Sequence, residues 1–140
     1  MARTGTFMFA GGMISWKTKK QPVVAHSSSE SELVALDSTA RESLWLTSLF
    51  DQLLKPIRLP MQLFEDNQGT INRTKKPVNH PAIKHIAVRY FSIRDWVNEG
   101  RSKVDYLQTS EMLAEVLTKP LNGTLLRKMS EEMGMDFTSH

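Results

Sequence analysis

A long amphipathic pattern dominates the first half of the chain. Apolar residues recur from Leu33 to Leu53 at close to the 3.6-residue period of an α-helix. This spacing predicts a helix over residues 29–54. Ser29 and Glu32 have the spacing of a capping box at its start, and Pro56 prevents the helix from continuing.

Shorter patterns on both sides predict strands and further helices. Two apolar segments flank Gly11 and Gly12, which is typical of two strands joined by a tight turn. The full prediction is strands over residues 6–10, 13–17, 61–65 and 101–107, and helices over residues 29–54, 66–73, 82–98, 110–118 and 122–133. Alternating strands and helices indicate an α/β fold with helices on the faces of a sheet that is antiparallel in part.

Composition narrows the class of protein. The chain has 140 residues, 40% hydrophobic and 24% charged, which fits one soluble globular domain. It has no cysteine, which excludes a disulfide framework, a cysteine nucleophile and a Cys-ligated metal. No segment approaches the roughly 20 apolar residues that cross a bilayer. We therefore expect an intracellular protein, in the cytoplasm or nucleus, without a membrane partner.

The net charge is only +3, but the basic residues are unevenly distributed. No acidic residue interrupts the stretch from Asn67 to Arg94, and a second basic group follows Trp16. Such stretches are either solvated faces or contacts to a nucleic-acid backbone. The basic residues of the two stretches are Arg73, Lys75, Lys76, Lys84, Arg89 and Arg94, and Lys17, Lys19 and Lys20.

Three acidic residues lie where an α/β fold exposes functional side chains. Glu32 is near the start of the long helix, Asp66 follows a strand, and Glu115 is in a later predicted helix. Carboxylates from separate elements can hold divalent cations that cleave phosphodiesters. Each acid also has a structural interpretation: Glu32 in the capping box, Asp66 or Asn67 as the next helix cap, and Glu115 paired with Lys119 at i,i+4.

Five sequence blocks occur in a fixed order along the chain. The blocks are Ile14-Ser-Trp-Lys-Thr-Lys-Lys-Gln21, Ala25-His-Ser-Ser-Ser-Glu-Ser-Glu-Leu-Val-Ala-Leu36, Glu65-Asp-Asn-Gln68, Lys84-His-Ile86 with Arg89-Tyr90, and Leu113-Ala-Glu-Val-Leu-Thr-Lys-Pro-Leu121. Together they closely resemble the C-terminal ribonuclease H domain of copia-type LTR retrotransposon Pol polyproteins, and the resemblance extends from about Arg3 to Leu121.

This resemblance implies a ribonuclease H-like mixed five-stranded sheet flanked by helices, occupying residues 1–121, with a C-terminal helix and tail over residues 122–140. It implies hydrolysis of the RNA strand of an RNA–DNA hybrid by two Mg²⁺ ions, beside an adjoining reverse transcriptase segment. The catalytic and metal-binding carboxylates fall on Glu32, Asp66 and Glu115. Candidate contacts to the hybrid are Lys17, Lys19, Lys20, Lys84, His85 and Arg89.

The chain departs from the family pattern in two ways. Position 115 is Glu where the family has Asp, and a carboxylate displaced by ~1 Å can cost roughly 100-fold in rate. The family's first strand, with its first catalytic Asp, has no counterpart, so we expect unpaired edges between its neighbours and a chain that folds poorly in isolation. Two alternatives to the enzyme therefore stay open: a non-catalytic nucleic-acid-binding remnant, and a structural fragment of a transposon polyprotein.

Overall fold

A computed structural model describes residues 3–9, 13–21, 27–53, 55–75 and 84–135. The elements follow the predicted order, except that two short 3₁₀ helices replace the helix predicted over residues 110–118. They are β1 (Arg3–Phe9), β2 (Met13–Lys20), α1 (Ser28–Gln52), β3 (Met61–Glu65), α2 (Gln68–Lys75), α3 (Lys84–Asn98), β4 (Ser102–Tyr106), 3₁₀ helices at Thr109–Glu111 and Leu113–Leu117, and α4 (Gly123–Glu132). The predicted turn at Gly11 and Gly12 lies outside the described residues.

The four described strands form two sheets of two strands each. β1 and β2 are antiparallel, with Arg3 opposite Lys20, and the register shifts between Met8 and Phe9. β3 and β4 are parallel, from Met61 opposite Ser102 to Glu65 opposite Tyr106. The prediction of an α/β protein with an antiparallel part is therefore confirmed.

The described residues do not form the single mixed sheet that the resemblance implies. In the described ranges no backbone hydrogen bonds pair β1 with β3, the two strands between which the resemblance places a further strand. Paired strands lie about 4.8 Å apart, and no described strand lies between β1 and β3 to pair with both. The helix α1 instead connects the sheets, because it packs against both β1 and β3.

The hydrophobic core lies between α1, α3 and the β3–β4 pair. The predicted face of α3 is confirmed, with Ile86, Tyr90 and Ile93 buried and Val97 packed against them. The core residues of the other elements are Leu33, Val34, Leu36 and Ala40 of α1, Leu63 of β3, Ile71 of α2 and Val104 of β4. Among the described residues no helix has the length and apolar character needed to span a membrane.

Two local predictions were wrong. The cap of α1 is Ser27 rather than Ser29, because the Ser27 Oγ accepts a hydrogen bond from the Glu30 backbone N–H at 3.2 Å and the helix begins earlier. The helix predicted over residues 110–118 is instead two short 3₁₀ helices. Met112 between them has an extended backbone (ψ 100°), which interrupts the α-helical bonding pattern. The last helix is confirmed as α4, and Gly134 follows it with φ 84°.

Candidate active site

The carboxyl end of β3 leads directly into a capped helix, and this positions Asp66. The Asn67 side-chain Oδ1 accepts hydrogen bonds from the backbone N–H groups of Gly69 at 2.8 Å and Thr70 at 3.1 Å. Asn67 is therefore the residue that caps α2. Asp66 remains half-buried at the turn, with its carboxylate available to other elements.

Glu32 reaches the same region from α1. Its Oε2 accepts a hydrogen bond from Thr70 Oγ1 at 3.3 Å. Thr70 is fully buried near the start of α2, so the cap at Asn67 also places the donor that orients Glu32. The structure thus brings Glu32 and the Asp66 turn to one end of the β3–β4 pair.

Glu65 is a third acid at this end, and the sequence analysis did not single it out. It is 7% exposed, and its Oε1 accepts a hydrogen bond from the Asn67 backbone N–H at 3.2 Å. Burial raises its pKa to about 7 against the opposing effect of that N–H, and the negative charges of Glu32 and Asp66 raise it further. The alternating pattern of β3 could have indicated that Glu65 is buried, because Glu65 lies on the same strand face as the buried Leu63.

The 3₁₀ helices bring Glu115 toward the acidic group formed by Glu32, Glu65 and Asp66. Thr109 Oγ1 donates a hydrogen bond to Asp66 Oδ2 at 2.8 Å, which ties the start of the segment to the β3 turn. Glu115 forms the i,i+4 ion pair with Lys119 that its spacing indicates. The hydrogen bond to Glu115 raises the pKa of Lys119, and the charges of Glu115 and Asp66 act in the same direction.

The donor chemistry of this end fits a hard divalent cation such as Mg²⁺, which prefers carboxylate oxygens. Lys119 already places one cationic group against Glu115. Within the described residues, however, no three acidic or histidine side chains lie close enough to hold one ion together. The described positions of Glu32, Asp66 and Glu115 therefore do not form a three-ligand metal site.

The predicted nucleic-acid contacts lie in different settings. Lys19 and Lys20 are exposed on β2, whereas Lys17 forms an ion pair with Glu42 at 3.4 Å. Arg89 Nη1 lies 2.6 Å from the buried carboxylate of Asp37. The side chains of Lys84 and His85 lie outside what the structure describes.

The fold and this site define an α/β protein with an acidic group at the carboxyl end of a parallel strand pair. The chain is 36% identical over 122 residues to the retrovirus-related Pol polyproteins from transposons RE1 and RE2 of Arabidopsis thaliana. It is also 36% identical over 129 residues to the Pol polyprotein from transposon TNT 1-94 of Nicotiana tabacum. These alignments cover 87–92% of the chain but only 8–10% of the relatives.

Homologues of most of this chain are therefore retrovirus-related Pol polyproteins of plant transposons. No protein-family model matches the chain. No solved structure matches it either.

Proposed function

We propose that this chain is the ribonuclease H-like segment of a retrotransposon Pol polyprotein and that it hydrolyses the RNA strand of RNA–DNA hybrids. The observation that carries the proposal is the convergence of acids from separate elements at one end of β3. The charges of Glu32 and Asp66 reach Glu65, and Asp66 also acts on Lys119 beside Glu115. The similarity of the chain to retrovirus-related Pol polyproteins of transposons supports the proposal.

Each of the three predicted carboxylates is contacted by a different side chain. Thr70 orients Glu32, Thr109 orients Asp66, and Lys119 holds Glu115. When bound, Mg²⁺ would activate a water and stabilise the leaving oxygen of the phosphodiester. The exposed Lys19 and Lys20 would contact the sugar–phosphate backbone, and this contact weakens as salt increases.

The experiment is cleavage of a labelled RNA–DNA hybrid by the 140-residue chain in Mg²⁺, beside its Asp66→Asn variant. Loss of a metal-binding carboxylate should lower the rate at least about 100-fold. Asp51→Asn is the matched control, because Asp51 is exposed on α1 about 28 Å along the helix from Glu32 and should leave the rate unchanged. Equal cleavage by the Asp66→Asn protein, or no cleavage by the parent chain, would contradict the proposal.

A second candidate function is hybrid binding without cleavage. It is favoured by the Lys119–Glu115 ion pair and by the finding that no three described acids share one ion position. Salt-dependent binding of the hybrid that is unaffected by Mg²⁺, together with an intact RNA strand, would identify this function. Hydrolysis that EDTA abolishes would exclude it.

A further inference from the structure

A small cleft lies between α1 and β2, away from the acidic group. Its volume is about 310 Å³, close to the lower end of the roughly 300–1,000 Å³ range of ligand pockets. The cleft is lined by Lys17 of β2 and by Ser38, Arg41, Glu42 and Trp45 of α1. The four helix residues recur at the spacing of one helix face. Trp45 lies about 20 Å along α1 from Glu32, so this cleft is separate from the candidate active site.

Trp45 presents an aromatic surface to solvent at the cleft, because it is 61% exposed. Trp16 of β2 is almost equally exposed, at 62%. Its neighbours Ser15 and Lys17 both contact Glu42 of α1. Strand side chains alternate, so Trp16 lies on the face of β2 that points away from the cleft. An exposed indole beside cationic groups is the combination on which unpaired nucleic-acid bases stack, and only Trp45 of these two residues has it at the cleft.

Two cationic side chains at the cleft can receive an anion. Arg41 is held in place, because its Nε donates hydrogen bonds to both carboxylate oxygens of Asp37 at 3.1 Å and its guanidinium lies 5.3 Å from the centroid of the Trp96 ring. Both bonds use Nε, so among the described residues the terminal nitrogens of this 54% exposed side chain remain as donors to a phosphate. Lys17 is 51% exposed, and its 3.4 Å contact with Glu42 is a surface pair that leaves ammonium donors for the same phosphate.

Glu42 determines which kind of strand fits the cleft. Its Oε1 accepts a hydrogen bond from Ser15 Oγ at 3.1 Å, its Oε2 contacts Lys17, and its side chain is 24% exposed. A carboxylate oxygen has two lone pairs, so Glu42 can still accept a hydrogen bond from a hydroxyl group in the cleft. The sugar of a DNA strand offers no such hydroxyl, whereas the ribose of RNA offers its 2′-hydroxyl.

We propose that the cleft between α1 and β2 binds single-stranded RNA by stacking a base on Trp45 and placing a phosphate at Lys17 and Arg41. The ribose 2′-hydroxyl donates a hydrogen bond to Glu42. A single strand is required, because only unpaired bases are free to stack on an aromatic side chain. Lys19, on the same strand face as Lys17, extends the cationic side of the cleft. This binding site needs neither a metal ion nor hydrolysis, so it does not depend on the function proposed above.

The test is fluorescence anisotropy of a labelled oligouridylate titrated with the 140-residue chain, at pH 7 and low salt, in EDTA to prevent metal-dependent hydrolysis. Trp45→Ala should weaken binding at least about fivefold, the lower end of the effect of losing one base stack. Trp45→Phe keeps an aromatic face and should retain most of the affinity. Trp16→Ala is the matched control, because it removes a tryptophan of nearly equal exposure from the opposite face of β2, and it should bind like the parent chain.

The contribution of the ribose is measured with an oligodeoxyuridylate, which carries the same bases. The parent chain should bind this strand more weakly than the oligouridylate, and Glu42→Ala should remove the difference because it removes the acceptor of the 2′-hydroxyl. Equal binding of the two strands by the parent chain would overturn the assignment to RNA.

The proposal as a whole is overturned if the parent chain does not bind the oligouridylate, or if Trp45→Ala binds it as tightly as Trp16→Ala does. Thermal unfolding of each variant verifies that these exposed substitutions leave the fold intact. Asp66→Asn should bind the oligouridylate like the parent chain. Oligouridylate binding by a chain that does not cleave hybrids would retain this site and reject the hydrolase function. Hybrid cleavage without oligouridylate binding would do the reverse, so the two proposals fail separately.

Discussion

Arg89 stabilises a buried charge between α1 and α3, and its replacement should lower the free energy of unfolding. Asp37 of α1 is completely buried. Its Oδ2 lies 2.6 Å from Arg89 Nη1, and both its oxygens lie 3.1 Å from Arg41 Nε. The guanidinium of Arg41 in turn packs over the Trp96 ring, 5.3 Å from its centroid. Arg89 thus has a structural task apart from its predicted contact to a hybrid.

The expected magnitude follows from what remains after the substitution. Removing one partner of a buried ion pair costs about 3–5 kcal/mol when the other charge is left unpaired. In Arg89→Met, Asp37 keeps Arg41, and water can enter where the Arg89 side chain is 27% exposed. We therefore expect a loss of about 2 kcal/mol, less than full unpairing would cost. Arg41→Met should cost about 1 kcal/mol or less, because that side chain is 54% exposed.

The assay is urea unfolding at pH 7, followed by far-UV circular dichroism, for the parent chain and both variants. A loss of about 2 kcal/mol would lower the midpoint by roughly 1 M urea. Hybrid binding is measured on the same proteins under conditions where each is folded. If Arg89→Met unfolds at the parent's midpoint while its hybrid affinity falls, the ion pair contributes no stability and Arg89 serves only as a nucleic-acid contact.

Two further predictions concern the buried Glu65 and the asparagine caps of α2 and α4. Because burial raises the pKa of Glu65 from 4.5 to about 7, the folded state binds its proton more strongly, and stability should fall by about 3 kcal/mol as the pH rises through that window. Glu65→Gln should remove this decrease in urea unfolding at pH 5 and pH 8, and an unchanged decrease would place its source elsewhere. Asn67→Ala removes the acceptor for the Gly69 and Thr70 N–H groups and should cost about 1 kcal/mol, as should Asn122→Ala at the cap of α4. A midpoint unaffected by Asn67→Ala would show that this cap contributes nothing.

The sequence predicted elements well wherever one periodicity was undisturbed. The strand over residues 61–65 was predicted at its observed bounds, and the buried face of α3 followed from the helical spacing of Ile86, Tyr90 and Ile93. Both patterns arise because one side of the element packs into the core, so apolar residues recur at the period of the backbone. Helix α1 was predicted with an N-terminal error of one residue, and several adjacent serines can cap such a start.

The features that the sequence did not reveal depend on tertiary contacts. The segment at residues 109–117 has apolar residues at helical spacing but forms 3₁₀ turns, with Thr109 bonded to Asp66 and Leu117 O accepting a hydrogen bond from Thr18 of β2. Both hydrogen bonds join residues that are distant along the chain, so a local sequence pattern cannot predict them. Glu65 was missed for a different reason: a charged residue at a buried strand position contradicts the usual pattern, and its neighbours become known only in the fold.

The geometry of the acidic group depends on how the two sheets are held together. Glu32 lies on α1, which packs on both sheets, and Asp66 follows β3. Glu115, in contrast, belongs to a 3₁₀ helix that packs against β1, which forms no ladder with β3. The position of Glu115 relative to Asp66 therefore depends on how the β1–β2 pair is placed against the β3–β4 pair. The hydrogen bond from Thr109 to Asp66 ties the 3₁₀ segment to the end of β3, and the hydrogen bond from Thr18 to the Leu117 carbonyl ties it to β2, so these two contacts together set where Glu115 lies.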